Sequence, residues 1–337
     1  MFFSKFCFFF KRRNEPSGLS RAARVEPRGA TPGANGLLEK EPKSERASGS
    51  GAPVRSQVAS RDESSFRKRS KKKHVEIDGS LGEGGGQVLR TALSLSIATG
   101  KALRIFNIRA GRAKPGLAHQ HLTCIKAAKQ ISSATVSGAT LGSQSLEFEP
   151  GRICPGDYSF DVTTAGSVSL VFQTLFLPLS LTKKESCVTI RGGTHVKWSP
   201  SYEFLRDQWS FYLQKMGFAI SIRLEKAGYY PKGGGILKAR VQPAEGPRPL
   251  MLSDRGELQK VTGRVFFSNL KRSIADRQLA RATQMLLSRG LSPQIEIHEY
   301  PSPWVGTCTH LRAAFENGGG KCHHVGERGV PAERVAS

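Results

Sequence analysis

The sequence predicts an α+β fold, an α/β sandwich, and three observations carry that prediction. A theme recurs from residue 75 onward: a short strand, a glycine-rich turn, then an apolar helix. Within each unit the apolar residues change period, from alternation to helical spacing. The 337 residues are 38% apolar, enough to bury one large core or two medium ones. Several such units side by side place helices on one face of antiparallel or mixed sheets.

Residues 1–74 stand apart as a basic tail. They are rich in Arg, Ser, Gly, Pro and Glu, poor in apolar residues after Phe10, and without periodicity, so disorder is expected. The opening apolar run is too short to span a bilayer, and its charge follows it, unlike a secretory signal. Glu15 and Glu26 count against a mitochondrial presequence. The run RKRSKKK at 67–73 reads as a nuclear address, a nucleic-acid-binding arm or a solvated linker. Residues 1–75 hold 18 Lys/Arg against 7 Asp/Glu; of the net +24, this leaves +13 on the body. A basic body suits a polyanionic partner.

The first unit covers 75–150. A strand over 75–78 enters a turn containing Gly79, Gly82, Gly84, Gly85 and Gly86. Val88, Leu89, Ala92, Leu93 and Ile97 then lie at helical spacing, with Gly100 as the stop. Successive glycines before a helix let backbone N–H groups turn outward together, which suits a phosphate. Glu83, Gln87 and Arg90 are embedded in this turn. After a strand over 103–108 come Arg109, Arg112 and Lys114, with Gln120 and His121 in the first turn of the next helix. The spacing matches neither the dinucleotide fingerprint nor the P-loop, so it indicates an anion site of no common nucleotide fold. Strands near Thr135 and over 145–149 close the unit.

A second unit begins with a strand over 158–162 and a helix from Val168 that carries Gln173. A strand over 187–191, a helix from about Pro200 to Met216, and strands over 219–224 and 236–241 complete it, joined by GYYPKGGG. By themselves Gln173 and Pro200 read as structural, the proline as the first residue of a helix. From about Ser253 a strand (261–267), a helix (274–288) and a strand (294–300) suggest a small separate α/β unit. Six scattered cysteines without a C-x-x-C pair fit free thiols in a reducing compartment. The spacing of Cys308/His310 and Cys322/His323/His324 is poor for zinc.

DGSLGEGGGQVLRTALSLS, IRAGRAKPGLAHQHL, TAGSVSLVFQT, GYYPKGGG and VGERGVPAERVA, in that order and spacing, resemble the RNA 3′-terminal phosphate cyclase family from about Val75 to Ser337. The resemblance implies repeated modules of two helices on a four-stranded sheet over 75–252. It also implies a small inserted α/β domain over 253–324, and a return to the large domain over 325–337. It implies an enzyme that uses ATP, with Mg²⁺ or Mn²⁺, to convert an RNA 3′-phosphate end into a 2′,3′-cyclic phosphate through an adenylylated histidine. Residue by residue, it casts Glu83 as the metal ligand. Arg90, Arg109, Arg112, Gln120 and His121 become the substrate-phosphate contacts, and Gln173 and Pro200 the ATP contacts. It implies a cytoplasmic protein with no membrane partner; the run 67–73 leaves a nuclear alternative. The family's nucleophilic histidine lies in a segment beyond the 325–336 match, so this chain is expected to carry the phosphate-binding half of the site without its nucleophile. Two other classes stay open: a non-catalytic, cyclase-like ribosome-assembly protein, and a plain RNA-binding module that uses the tail.

Overall fold

β1 (Val75–Asp78) and β2 (Leu103–Phe106) pair in parallel, with α1 (Gly86–Thr99) as their crossover. α2 (His119–Ser132) leads to β3 (Thr135–Ser137) and β4 (Leu146–Glu149), and the sheet runs β1-β2-β4-β3. The computed structural model describes residues 74–82 and 84–337. Of the tail expected over 1–74 all but His74, and the metal ligand expected at Glu83, lie outside the described residues. The spacing read for α1 does bury Leu89, Ala92, Leu93 and Ile97, and Gly100 ends the helix at φ 68°. The strand expected over 103–108 stops at Phe106 because Asn107 and Arg109 take left-handed φ values of 53° and 56°.

The second unit repeats this topology. β5 (Asp157–Asp161), α3 (Val168–Ser180), β6 (Ser186–Gly192), β7 (Ile220–Lys226) and β8 (Gly235–Val241) give a sheet ordered β5-β6-β8-β7. Here too the first pair is parallel and the others antiparallel. The second helix is α4 (Tyr202–Phe204), a π-helical stretch (Leu205–Trp209) and α5 (Ser210–Lys215), running on without a break in helical backbone. Pro200 is not its first residue: Ser201 caps the helix, its Oγ accepting from Phe204 N at 3.3 Å, and Pro200 precedes the cap.

α3 packs on α1 and α2 on one side and on β6 and β8 on the other. A helix buried on both sides has to be apolar nearly all round, and Val168, Val171, Phe172, Leu175 and Leu179 are all buried. The two units therefore share one core, with α3 at its centre. Each of these side chains contributes roughly 1.5–3 kcal/mol by leaving water.

The third sheet departs from the repeat. β9 (Leu258–Ser268), α6 (Arg272–Leu287), β10 (Pro293–Glu299), β11 (Gly306–Phe315) and β12 (Gly319–Val325) give the order β10-β9-β11-β12. It carries one long helix, and its own core is small: Val265, Phe267 and Ala275. Residues 306–325 form the β11–β12 hairpin. This hairpin docks on the π-helical stretch and α5 through polar contacts. Gln208 Nε2 and Tyr212 Oη each donate to Gly319 O at 3.2 Å, and Lys321 Nζ lies 3.3 Å from Asp207 Oδ2. α7 (Ala332–Val335) packs on α6, where Arg277 Nε meets Glu333 Oε1 at 2.8 Å.

Candidate functional site

Two helix N-termini meet at Gly86. α1 starts after Gly85 with no side-chain cap and no acidic residue in its first turn; α2 starts after Ala118 with no acidic residue in its own. The uncapped N–H groups leave both ends partially positive. His121, the third residue of α2, turns back so that its Nδ1 accepts from Ala118 N at 3.0 Å. That bond makes Nδ1 the acceptor, so neutral His121 carries its proton on Nε2. Nε2 points at Gly86, where an added Cβ would sit 2.2 Å away, with Arg90 Nη1 at 2.9 Å. The glycine is required there because the imidazole occupies the space of a side chain.

Arg90 enters from α1, and its Nε is buried without a hydrogen-bond partner. Burial pulls its pKa below the ordinary arginine value, opposed by the neighbouring Cys124. Cys124, one turn below His121, is itself pushed up to about 11 by burial. Arg109 stands on the loop between β2 and α2, and its Nη1 donates to Gly116 O at 2.8 Å. That loop is irregular but pinned. Ile108 N donates to Gln144 O at 3.0 Å, Leu117 N to Ser143 O at 2.9 Å, and Gly142 N to Leu117 O at 2.8 Å. Its two left-handed residues are of the kind that concentrates at functional sites. Arg112 lies against the glycine turn, with Nη2 3.4 Å from the Cβ position of Gly85. The His121 pKa is depressed to about 4, by burial first and then by Arg109 and Arg90. The cluster is thus a neutral imidazole N–H among guanidinium groups at two helix N-termini, a donor set for phosphate oxygens.

The predicted residues separate into three groups. Arg90, Arg109, Arg112 and His121 come together. Gln120 is adjacent, but its Oε1 accepts from Ser167 N at 3.0 Å, fastening α2 to the N-cap of α3. Gln173 is half-buried on α3 and Pro200 is buried before Ser201; no hydrogen bond among the described residues joins either to the cluster. Among the described residues no group of three or more His, Cys, Asp or Glu side chains is placed to hold a metal.

Sequence reasoning missed a second polar cluster. His195 Nε2 meets Glu203 Oε2 at 2.9 Å, and its Nδ1 meets Thr194 Oγ1 at 2.8 Å, with both ionisable side chains 0% exposed. The imidazole stacks on Tyr229 at 5.5 Å between ring centroids and lies near Phe266 and Tyr300 of the third sheet. Gly306 lets β11 reach this stack, since a Cβ there would stand 2.1 Å from the Tyr229 ring. Burial acts to raise the Glu203 pKa, but His195 and His310 hold it below the usual carboxylate range. The only sequence signal was a polar Thr194-His195 pair after two glycines, which reads as a turn.

A family model described as RNA 3′-terminal phosphate cyclase matches residues 81–321. Among curated relatives, an RNA 3′-terminal phosphate cyclase of Methylococcus capsulatus is 44% identical over 272 residues, covering 78% of this chain and 75% of the relative. A protein of the same name from Methanopyrus kandleri is 40% identical, covering 77% of this chain and 76% of the relative; one from Caldivirga maquilingensis is 44% identical with the same coverage. Among the described residues no helix is long and apolar enough to cross a membrane.

Proposed function

The chain belongs to the RNA 3′-terminal phosphate cyclase family, and from that premise we propose that the cluster at Gly86 binds the 3′-phosphate of an RNA end and the phosphates of ATP. One observation carries this reading. Arg90 Nε is buried and unpartnered beside the His121 N–H and the N-termini of α1 and α2. A buried guanidinium donor left unmade costs roughly 1–3 kcal/mol, and a bound phosphate would relieve it.

Arg90, Arg109 and Arg112 would neutralise the phosphate charges, and the His121 Nε2–H would donate to a phosphate oxygen. The reaction assigned to the site transfers AMP from ATP to a histidine, releasing pyrophosphate. The RNA 3′-phosphate then attacks the AMP phosphorus and takes the AMP. Finally the neighbouring 2′-hydroxyl attacks the 3′ phosphorus, loses its proton and expels AMP, leaving the cyclic diester. Two of the described histidines are poorly suited to be that nucleophile: His121 uses Nδ1 as a cap, and His195 uses both nitrogens. Glu83 is the candidate ligand for Mg²⁺ or Mn²⁺; a Glu83→Gln variant that binds Mn²⁺ as tightly as the parent would remove it from that role.

The test of the phosphate reading is selectivity. Arg109→Ala or Arg112→Ala is expected to weaken binding of a 3′-phosphorylated RNA by about ten- to a hundred-fold, roughly 1.5–3 kcal/mol, and to leave a 3′-hydroxyl RNA nearly unchanged. Equal losses for the two RNAs would reduce these arginines to backbone contacts.

A further inference from the structure

α2 presents a second face that the phosphate cluster does not use. Gln120 and His121 turn towards α3 and Gly86, whereas His119, Thr123, Lys126 and Lys129 line a groove of about 410 Å³. The rest of its lining is Leu122, Ile125, Val136, Ala139 and Thr163, mostly apolar. The spacing 119, 123, 126 is that of one helical face, and the stretch from His119 to Lys129 is ~15 Å long.

Three features say what such a groove takes. Its lining includes two lysines and a histidine but no carboxylate. Both lysines are exposed, and neither forms an ion pair among the described residues. Beneath these charges lies apolar surface, so a ligand with a charged edge and a flat, largely apolar body fits better than a simple anion. The groove also starts on the helix turn that carries the phosphate cluster. His119 is in the groove, Gln120 is the bridge to Ser167, and His121 is in the cluster, three successive residues of one helix turn. Thr163 borders the same loop, whose Gly166 packs against the Gln120 side chain.

We propose that this groove is the track for single-stranded RNA leading up to its 3′ end, with Lys126 and Lys129 on successive phosphates and the apolar floor under ribose or base. The inference rests on the reading of the Gly86 cluster as the terminal-phosphate site. The geometry suits a strand rather than a duplex: the groove is short and one-sided, and its apolar floor would meet unpaired bases.

The experiment measures binding of two 3′-phosphorylated RNAs, three and twelve nucleotides long, to the full chain at several salt concentrations. The parent and a Lys126→Glu/Lys129→Glu variant are compared. In the parent the longer RNA is expected to bind more tightly and with a steeper salt dependence. In the variant it should lose about tenfold or more in affinity, and its salt slope should fall by about 1.4, the loss of two phosphate contacts on a single strand. The trinucleotide should bind both proteins alike. Equal losses for both lengths, or none for the longer RNA, would overturn the track. So would tighter binding of an acidic peptide than of RNA in competition. A parent that prefers neither RNA over its 3′-hydroxyl counterpart would instead overturn the phosphate reading beneath it, so the two failures are told apart.

Discussion

Two buried histidines sit against glycine-dependent close contacts and end in opposite states. His195 is completed on both sides by Thr194 and Glu203 and walled by Tyr229, Phe266 and Tyr300. His121 uses only Nδ1; no hydrogen bond among the described residues engages Nε2, and Arg90 beside it keeps an unpartnered Nε. Both clusters bury ionisable groups. The difference is who completes them: neighbouring side chains in one, and in the other, on our reading, a ligand. Burial alone does not mark a functional site, but buried donors left incomplete around a glycine do so far better.

The comparison breaks most visibly at Glu203. Glu203→Ala strips the buried His195 Nε2 of its partner and leaves a cavity in a packed interior, so it should destabilise the fold by roughly 3–5 kcal/mol. Urea denaturation would measure this, and a loss under 1 kcal/mol would mean that the His195 cluster is not structural.

Acid titration sharpens the comparison next. His121 is depressed to about 4 and His310 to about 3, mainly by burial. An unfolded histidine takes its proton near pH 6.5, before the folded one does, so stability is full above that pH and falls as pH drops towards 4. For His121 alone the loss is on the order of 3 kcal/mol. His121→Gln should therefore flatten the acid limb of the stability curve while leaving the part that belongs to His310. An unchanged curve would show that the imidazole is not buried neutral.

The smallest effect on stability should come from Gly86→Ala. A methyl group 2.2 Å from His121 Nε2 displaces the ring, moving the tip of a side chain rather than backbone. Affinity for the RNA 3′-phosphate should fall about ten- to a hundred-fold, with denaturation nearly unchanged. Retained affinity would mean that the His121 N–H contributes nothing to the site.

Much of this molecule was legible in the chain alone. Glycine stops, apolar periods and the recurrence of strand, turn and helix located α1, α2, α3 and most strands, because these signals depend on residues close together in sequence. The meeting of Arg90, Arg109, Arg112 and His121 was legible through the family resemblance, not through spacing. Other features were decided only by the tertiary structure. Gln120, a phosphate contact by family resemblance, also ties α2 to α3 through its Oε1; Pro200 looked like a first helical residue and precedes the Ser201 cap. Glu203, in the first turn of that helix, is 0% exposed against His195. The physical reason is the same in each case. Local sequence sets backbone conformation and which face of an element is apolar, but the partner of a polar group comes from whichever element packs opposite it. For Glu203 that partner stands eight residues away across a turn, in a pocket completed by a sheet that begins at Leu258.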